Sequence, residues 1–259
     1  MTGPERPIAA AWLALRRSAD SAARDRAGWL LDEFATAPGP LIVFDIGAGT
    51  GANQAYLQPR LGIESRWVLL DHDVDLLNAP GQGDAERVLG GIEQLDELVA
   101  ARPGERLITC SALLDLLTVD ELDTLAAVLV RHRSRALFSL TVDGTLELQP
   151  GHRFDADVAA AFNEHQSRGG RPGPAAADHL ASRCRQLGLN VRRAETPWLL
   201  DGDSAALIER LLTERADAAV EQRPELATVV GSWLADRRRS LSTGSLTVRV
   251  GHADLLITP

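Results

Sequence analysis

Short runs of consecutive apolar residues recur along the chain, separated by stretches with helical periodicity. Leu41-Ile42-Val43-Phe44, Trp67-Val68-Leu69-Leu70, Arg106 to Cys110 and Ala136 to Thr141 are the clearest. Runs this short and unbroken fit strands covered on both faces, as in a parallel sheet. Residues 8–34 space Ile8, Trp12, Leu15, Trp29, Leu30 and Phe34 among Arg and Asp. That spacing predicts a helical region, ended by Ala37-Pro38-Gly39-Pro40. Another helix is predicted to begin near Gly51. Thr118 and Glu121 are spaced as a capping box ahead of Leu122, Leu125, Val128 and Leu129.

The second half is less regular. Helices are predicted over 155–166, ending near His165, and from Ala175 to Leu187, where Gly188 closes the helix. A strand is predicted over Leu189 to Thr196, then helical segments over about 203–219 and 225–240. A last strand gathers Leu246 to Val250, Gly251-His252 and Asp254 to Ile257. The alternation predicts an α/β chain with a Rossmann-like, mostly parallel, doubly wound sheet.

One short segment carries chemistry. Asp45-Ile46-Gly47-Ala48-Gly49-Thr50-Gly51 lies directly after an apolar run and before a predicted helix. Glycines there permit positive φ and let a ligand touch the backbone. The helix start offers free N–H groups. Asp71 follows twenty residues after Gly51, at the end of the next apolar run. An acid so placed can accept hydrogen bonds from both ribose hydroxyls of a nucleoside.

This pattern resembles motif I of the class I S-adenosylmethionine-dependent methyltransferases, E/D-x-G-x-G-x-G. Leu70-Asp71-His72-Asp73 is similar to their second motif and Ile108 to Asp115 to their fourth, so the resemblance covers about 41–141. Trp12 to Arg16 and Phe162 to Gln166 resemble stretches in uncharacterised actinobacterial members. The resemblance implies a seven-stranded sheet and S-adenosylmethionine as cofactor, leaving S-adenosylhomocysteine as product. It places Gly47 and Gly49, with Ala48 and Gly51 of the same turn, against the methionine part. It puts Asp45 near the amino group, Asp71 on the ribose and His72 beside the adenine. Ser111, Ala112 or Leu113 would line the pocket near the sulfonium. The usual acid after the third strand has no clear match; Gly91-Ile92-Glu93 is the substitute. Of Arg16, Arg17 and Arg24, which could pair with the cofactor carboxylate through a bidentate fork, Arg24 is preferred.

Methyl transfer needs a base only where the acceptor must lose a proton. His165, after Asn163 and Glu164, is a candidate base or substrate ligand, set against a capped helix end. Asp115 could accept a hydrogen bond or merely flank a helix start. His252 reads as a core histidine, His132 and His179 as surface residues. No metal is expected, since neither His72-Asp73 nor His252 with Asp254 makes a ligand set.

Composition narrows the picture. All 27 basic residues are arginine, which removes Schiff-base and phosphate-loop lysine chemistry. The net charge of −9 argues against nucleic acid as partner. Arg237-Arg238-Arg239 reads as a solvated helix end. Cys110 and Cys184 make no disulfide framework or zinc site. No signal peptide or membrane span is evident, so the expected setting is a reduced cytoplasm.

The sequence therefore predicts a single domain over 1–259, with an N-terminal helical lid (1–40), a cofactor half (41–141) and a substrate half (142–259). The substrate half carries a helical insertion over about 203–240 that would cover the pocket or meet a second subunit in a homodimer; Trp198 and Trp233 could serve either role or simply pack in the core. The expected activity is methyl transfer to an O, N or C atom of a small-molecule metabolite. An NAD(P)-dependent oxidoreductase and a non-catalytic S-adenosylmethionine-binding regulator or scaffold are the alternatives. Ala52 keeps the NAD spacing formally open; Asp45 and the fourth motif argue against it.

Overall fold

The computed structural model describes residues 10–34, 39–79 and 83–259. Ile8, Ala37 and Pro38, which figured in the predicted N-terminal region, lie outside them. That region is not one helix. α1 (Ala10–Asp25) is followed by a separate 3-10 segment, Gly28–Glu33.

β1 (Leu41–Ile46) runs into the glycine turn and α2 (Ala52–Leu57), with left-handed Gly51 as N-cap. β2 (Ser65–Asp71) leads to the short α3 (Val74–Leu77), capped by Asp73. β3 (Glu86–Leu89) and α4 (Leu95–Ala100) follow. β4 (Glu105–Ser111) precedes α5 (Val119–His132), where the capping box forms as its spacing predicts. The Glu121 N–H donates to Thr118 Oγ1, and the Thr118 N–H donates to Glu121 Oε2.

β5 (Arg135–Gln149) is far longer than its apolar run, and α6 (Asp155–Gln166) follows it. α7 (Ala176–Gln186) gives way at left-handed Gly188 to β6 (Asn190–Glu195) and β7 (Trp198–Leu200). α8 (Ala205–Gln222) and α9 (Ala227–Ser242) come before β8 (Thr247–Thr258).

The strands form one sheet in the order β3-β2-β1-β4-β5-β8-β6. β3 through β5 are parallel; β8 runs antiparallel to its neighbours. β7 adds no new position. β6 pairs with β8 as far as Glu195↔Ala253, and β7 resumes along the same strand at Trp198↔Val250. The expected seven-position sheet is therefore present, with one broken edge.

Adjacent strand residues feed opposite faces. Phe44, Val68, Ile108 and Phe138 pack with α4, α5 and α7, while Val43, Leu69, Leu107 and Leu137 pack with α2 and the Gly28–Glu33 segment. A third core lies where β5 and β8 continue past the sheet as a ribbon. There Leu148, Val248 and Val250 meet α6, α8, α9 and α1. Arg237 belongs to that region and is no solvated helix end. It is 2% exposed, and its Nη2 contacts both Asp155 carboxylate oxygens at 2.7 Å. Among the described residues no helix is long and apolar enough to cross a membrane.

Candidate functional site

The parallel strands end together at the glycine turn, and a cavity of about 620 Å³ opens there. This is a size suited to one small ligand. Ligand sites of open α/β sheets lie at this carboxyl edge, where the strand order reverses. The reversal here falls between β1 and β4.

Gly47, Gly49 and Gly51 all have positive φ (61°, 53° and 76°). The conformation favours glycine, and a Cβ on Gly47 would stand 2.9 Å from Leu113 Cδ1, so that side chain would have to shift. The turn is tied to the end of β2. The Ala48 N–H donates to Leu70 O at 3.1 Å, and the Gly49 N–H to Asp71 Oδ2 at 2.7 Å. Asp71 Oδ1 accepts from the Asp73 N–H at 2.9 Å. A carboxylate has about four lone-pair positions, so two such bonds leave it able to accept more. Asp71 is 5% exposed yet lines the cavity. His72 beside it is half exposed, with Nδ1 3.5 Å from Asp71 Oδ1.

Ala48, Ser111 and Ala112 also line the cavity. Ala112 takes φ +56°, a conformation that favours glycine, and its N–H donates to Ser139 O at 2.8 Å. The segment after β3 contributes Gly90, Gly91, Ile92 and Glu93, so the substitute acid of the sequence reading does reach the site.

Arg24, on α1, forms part of the wall although it is 5% exposed. Its guanidinium stacks 3.9 Å from the centroid of the Tyr56 ring, and Nη2 meets no acceptor. Burial lowers its pKa, opposed by the charges of Asp254, Asp45 and Asp20. Asp254 is itself committed, accepting from the Leu140 N–H at 2.8 Å and Thr196 Oγ1 at 2.7 Å.

Asp45 and Gly51 support the turn without lining the cavity. The Asn53 amide donates to Asp45 Oδ1 at 2.6 Å and to Thr109 Oγ1 at 3.2 Å. Burial pushes the Asp45 pKa up to about 7. Asn53 does line the cavity, standing between Asp45 and the open space. Sequence reasoning missed it; its signal was a polar residue on the buried side of a helix just after the glycines.

The two catalytic candidates lie off the wall. His165 stands on α6 with Nε2 3.4 Å from Glu221 Oε1 of α8, a glutamate that Arg168 also holds at 2.7 Å. Asp115 is buried beside the lining residues Leu113, Leu116 and Leu117, and burial raises its pKa to about 6. His252 is buried as expected. Its Nδ1 lies 3.0 Å from Val250 O and its ring 4.9 Å from Trp198. Burial drives its pKa down to about 3, which keeps it neutral. Trp198 donates through Nε1 to Asp20 at 3.0 Å, and Asp20 also grips Arg16 on the wall.

No protein-family model and no curated protein matches the sequence. Solved structures do. A cyclopropane synthase from Mycobacterium tuberculosis aligns at 15% identity over 91% of this chain and 83% of that one, with a TM-score of 0.51. A SAM-dependent methyltransferase from Archaeoglobus fulgidus aligns at 13% identity over 96% and 99%, with a TM-score of 0.50. A mycolic acid cyclopropane synthase in complex with S-adenosylhomocysteine and CTAB aligns at 14% identity over 91% and 83%, also at 0.50. The likeness establishes the fold: that of the class I S-adenosylmethionine-dependent methyltransferases.

Proposed function

We propose that the chain binds S-adenosylmethionine and transfers its methyl group to a small molecule. The observation that carries this reading is Asp71, a buried carboxylate that closes the glycine turn and faces the same cavity as Gly47 and Gly49.

The residues present fit such a ligand. The unmet Arg24 Nη2 suits a carboxylate, Asp71 a ribose diol, and Glu93 and Ile92 the edge of an adenine. One neighbouring structure, solved with S-adenosylhomocysteine bound, adds support to the cofactor assignment. When bound, the cofactor supplies an activated methyl group open to in-line displacement. The protein's work is then orientation and exclusion of water. Trp12, Leu13, Leu113 and Leu116 provide the apolar wall, and Arg24 and Asp71 fix the carboxylate and the ribose on either side of the sulfonium. Neither His165 nor Asp115 is called upon, because an acceptor that is already nucleophilic needs no base.

The sheet weighs against the oxidoreductase alternative. Dinucleotide-binding folds of the 3-2-1-4-5-6 order continue in parallel, whereas β8 here inserts antiparallel between β5 and β6. Calorimetric titration with S-adenosylhomocysteine and NADH tests the proposal. Micromolar binding of the sulfur nucleoside is expected, and binding of NADH alone would refute it. Arg24→Met sharpens the test. It should weaken S-adenosylhomocysteine about tenfold or more and leave methylthioadenosine, which lacks the carboxylate, unchanged. A scaffold without turnover would pass both titrations yet methylate nothing across a panel of acceptors.

A further inference from the structure

α2 turns Asn53 and Tyr56, three residues apart on one helix face, toward the cavity; both are buried and both border it. The neighbours of Asn53 fix which way round its amide lies. The Thr109 hydroxyl donates its hydrogen to Leu137 O at 2.7 Å, so toward Asn53 Nδ2, 3.2 Å away, it can only accept. Asp45 Oδ1 accepts from the same nitrogen at 2.6 Å. Both amide hydrogens are therefore spent, and on two residues that do not border the cavity. The nitrogen branch of the amide is turned into the protein, which leaves the oxygen branch on the cavity side. Among the described residues nothing donates to Asn53 Oδ1.

A second acceptor beside it is equally unmet. Asp45 is fully buried, and its Oδ2 has no partner among the described residues. Burial outweighs the Asn53 hydrogen bond and the charge of Arg24, so the Asp45 pKa stands at about 7. Buried acceptors without a donor are exceptions, and here two of them adjoin at the wall of a cavity. What they lack is a donor carrying positive charge. Arg24 does not fill that role, because its guanidinium lies over the Tyr56 ring, 3.9 Å from the centroid. A metal ion is not the partner either, since among the described residues no three His, Cys, Asp or Glu side chains gather to hold one. An ammonium, with three donors and one charge, meets the need. With Arg24 also on the wall, this end of the cavity offers one cation for a carboxylate and one fixed oxygen for an ammonium.

We propose that Asn53 Oδ1 binds the α-ammonium of the cofactor's amino acid end, while Asp45 adds negative charge from behind Asn53 without touching the ligand. This rests on S-adenosylmethionine being the cofactor. It moves the amino-group contact from Asp45, where the motif resemblance put it, to the side chain that stands between Asp45 and the cavity. Tyr56, on the same face of α2, carries Arg24, so that one short helix sets both grips on the amino acid end.

The test is calorimetric titration of the full chain with three probes: S-adenosylhomocysteine, its deaminated analogue, in which hydrogen replaces the ammonium, and methylthioadenosine, which lacks the amino acid end. Wild type should bind S-adenosylhomocysteine about tenfold or more tightly than the deaminated analogue, the preference that a charge-assisted hydrogen bond carries. Asn53→Leu, close in volume and without polar atoms, should shrink that preference to about twofold or less and leave methylthioadenosine within about twofold of wild type. A side chain that merely braced the glycine turn would, when replaced, weaken all three probes alike. That result overturns the proposal, and so does a preference that survives in Asn53→Leu. Equal binding of S-adenosylhomocysteine and its deaminated analogue by wild type overturns it without recourse to any variant and leaves the cofactor assignment standing. If none of the three probes binds wild type, the cofactor assignment is refuted and the ammonium site falls with it.

Discussion

Replacing Asp71 with alanine separates two jobs that one carboxylate performs. In the free protein it accepts the Gly49 and Asp73 N–H groups at 2.7 and 2.9 Å, and it is 5% exposed. Hydrogen bonds to charged groups contribute about 1.5–3 kcal/mol each, and the two share one group, so the variant should lose about 2–4 kcal/mol of stability. For a chain of 259 residues that is a fall of roughly 5–12 °C in melting temperature. Binding is the second job. If both ribose hydroxyls donate to Asp71, their loss should raise the dissociation constant of S-adenosylhomocysteine about a hundredfold or more. Calorimetry at 15 °C, with circular dichroism confirming that the variant is folded, reads affinity apart from stability. A variant that melts early but binds within threefold of wild type would refute the ribose assignment and leave Asp71 a turn-closing residue only. Asp71→Asn, which retains one acceptor, should fall between.

Three further outcomes follow from the geometry. Gly47→Ala combines a φ of +61° with the 2.9 Å approach to Leu113, whereas Gly62→Ala combines +65° with open space. Both should cost about 1–2 kcal/mol of backbone strain, and the excess for Gly47 in a urea midpoint reads the Leu113 contact. Asp115 has its pKa raised by burial from 3.8 to about 6. The unfolded chain therefore releases that proton first, so the contribution of this group is full below about pH 3.8 and erodes by about 3 kcal/mol as pH rises through about 6. Asp115→Asn should flatten that part of the stability–pH profile, and an unchanged slope would contradict the burial. Arg237→Ala should cost about 3–5 kcal/mol by removing the cation that balances Asp155 and emptying a buried site, while Arg239→Ala, exposed and paired with Asp236, should stay within about 0.5 kcal/mol.

What the sequence revealed follows from how each element is buried. β1, β2 and β4 are covered on both faces and read as unbroken apolar runs, so the turn and Asp71 could be placed between them. β3 is Glu-Arg-Val-Leu at an edge, largely exposed, and carries no such run. β5 hides its second half behind Asp143-Gly144-Thr145, where the register slips between Val142 and Leu146. β7 is three residues long and is held by its register with β8, which no local pattern encodes. The cavity wall divides in the same way. Glycines and Asp71 announce themselves by spacing, whereas Asn53 and Tyr56 look like ordinary helix residues until the fold turns them inward.

β8 serves two masters. Ala253, Leu255 and Ile257 are set into the core beneath the parallel sheet, while Val248 and Val250, a few residues earlier, are set into the one beneath α8 and α9. The pair of helices that separates β7 from β8 thus cannot be trimmed away as a detachable module. Excising it would strip the cover from the front of a strand whose rear holds the parallel half of the sheet in place. The side of the protein built from α6, α8 and α9 can therefore be resculpted side chain by side chain, but not by gain or loss of the whole piece.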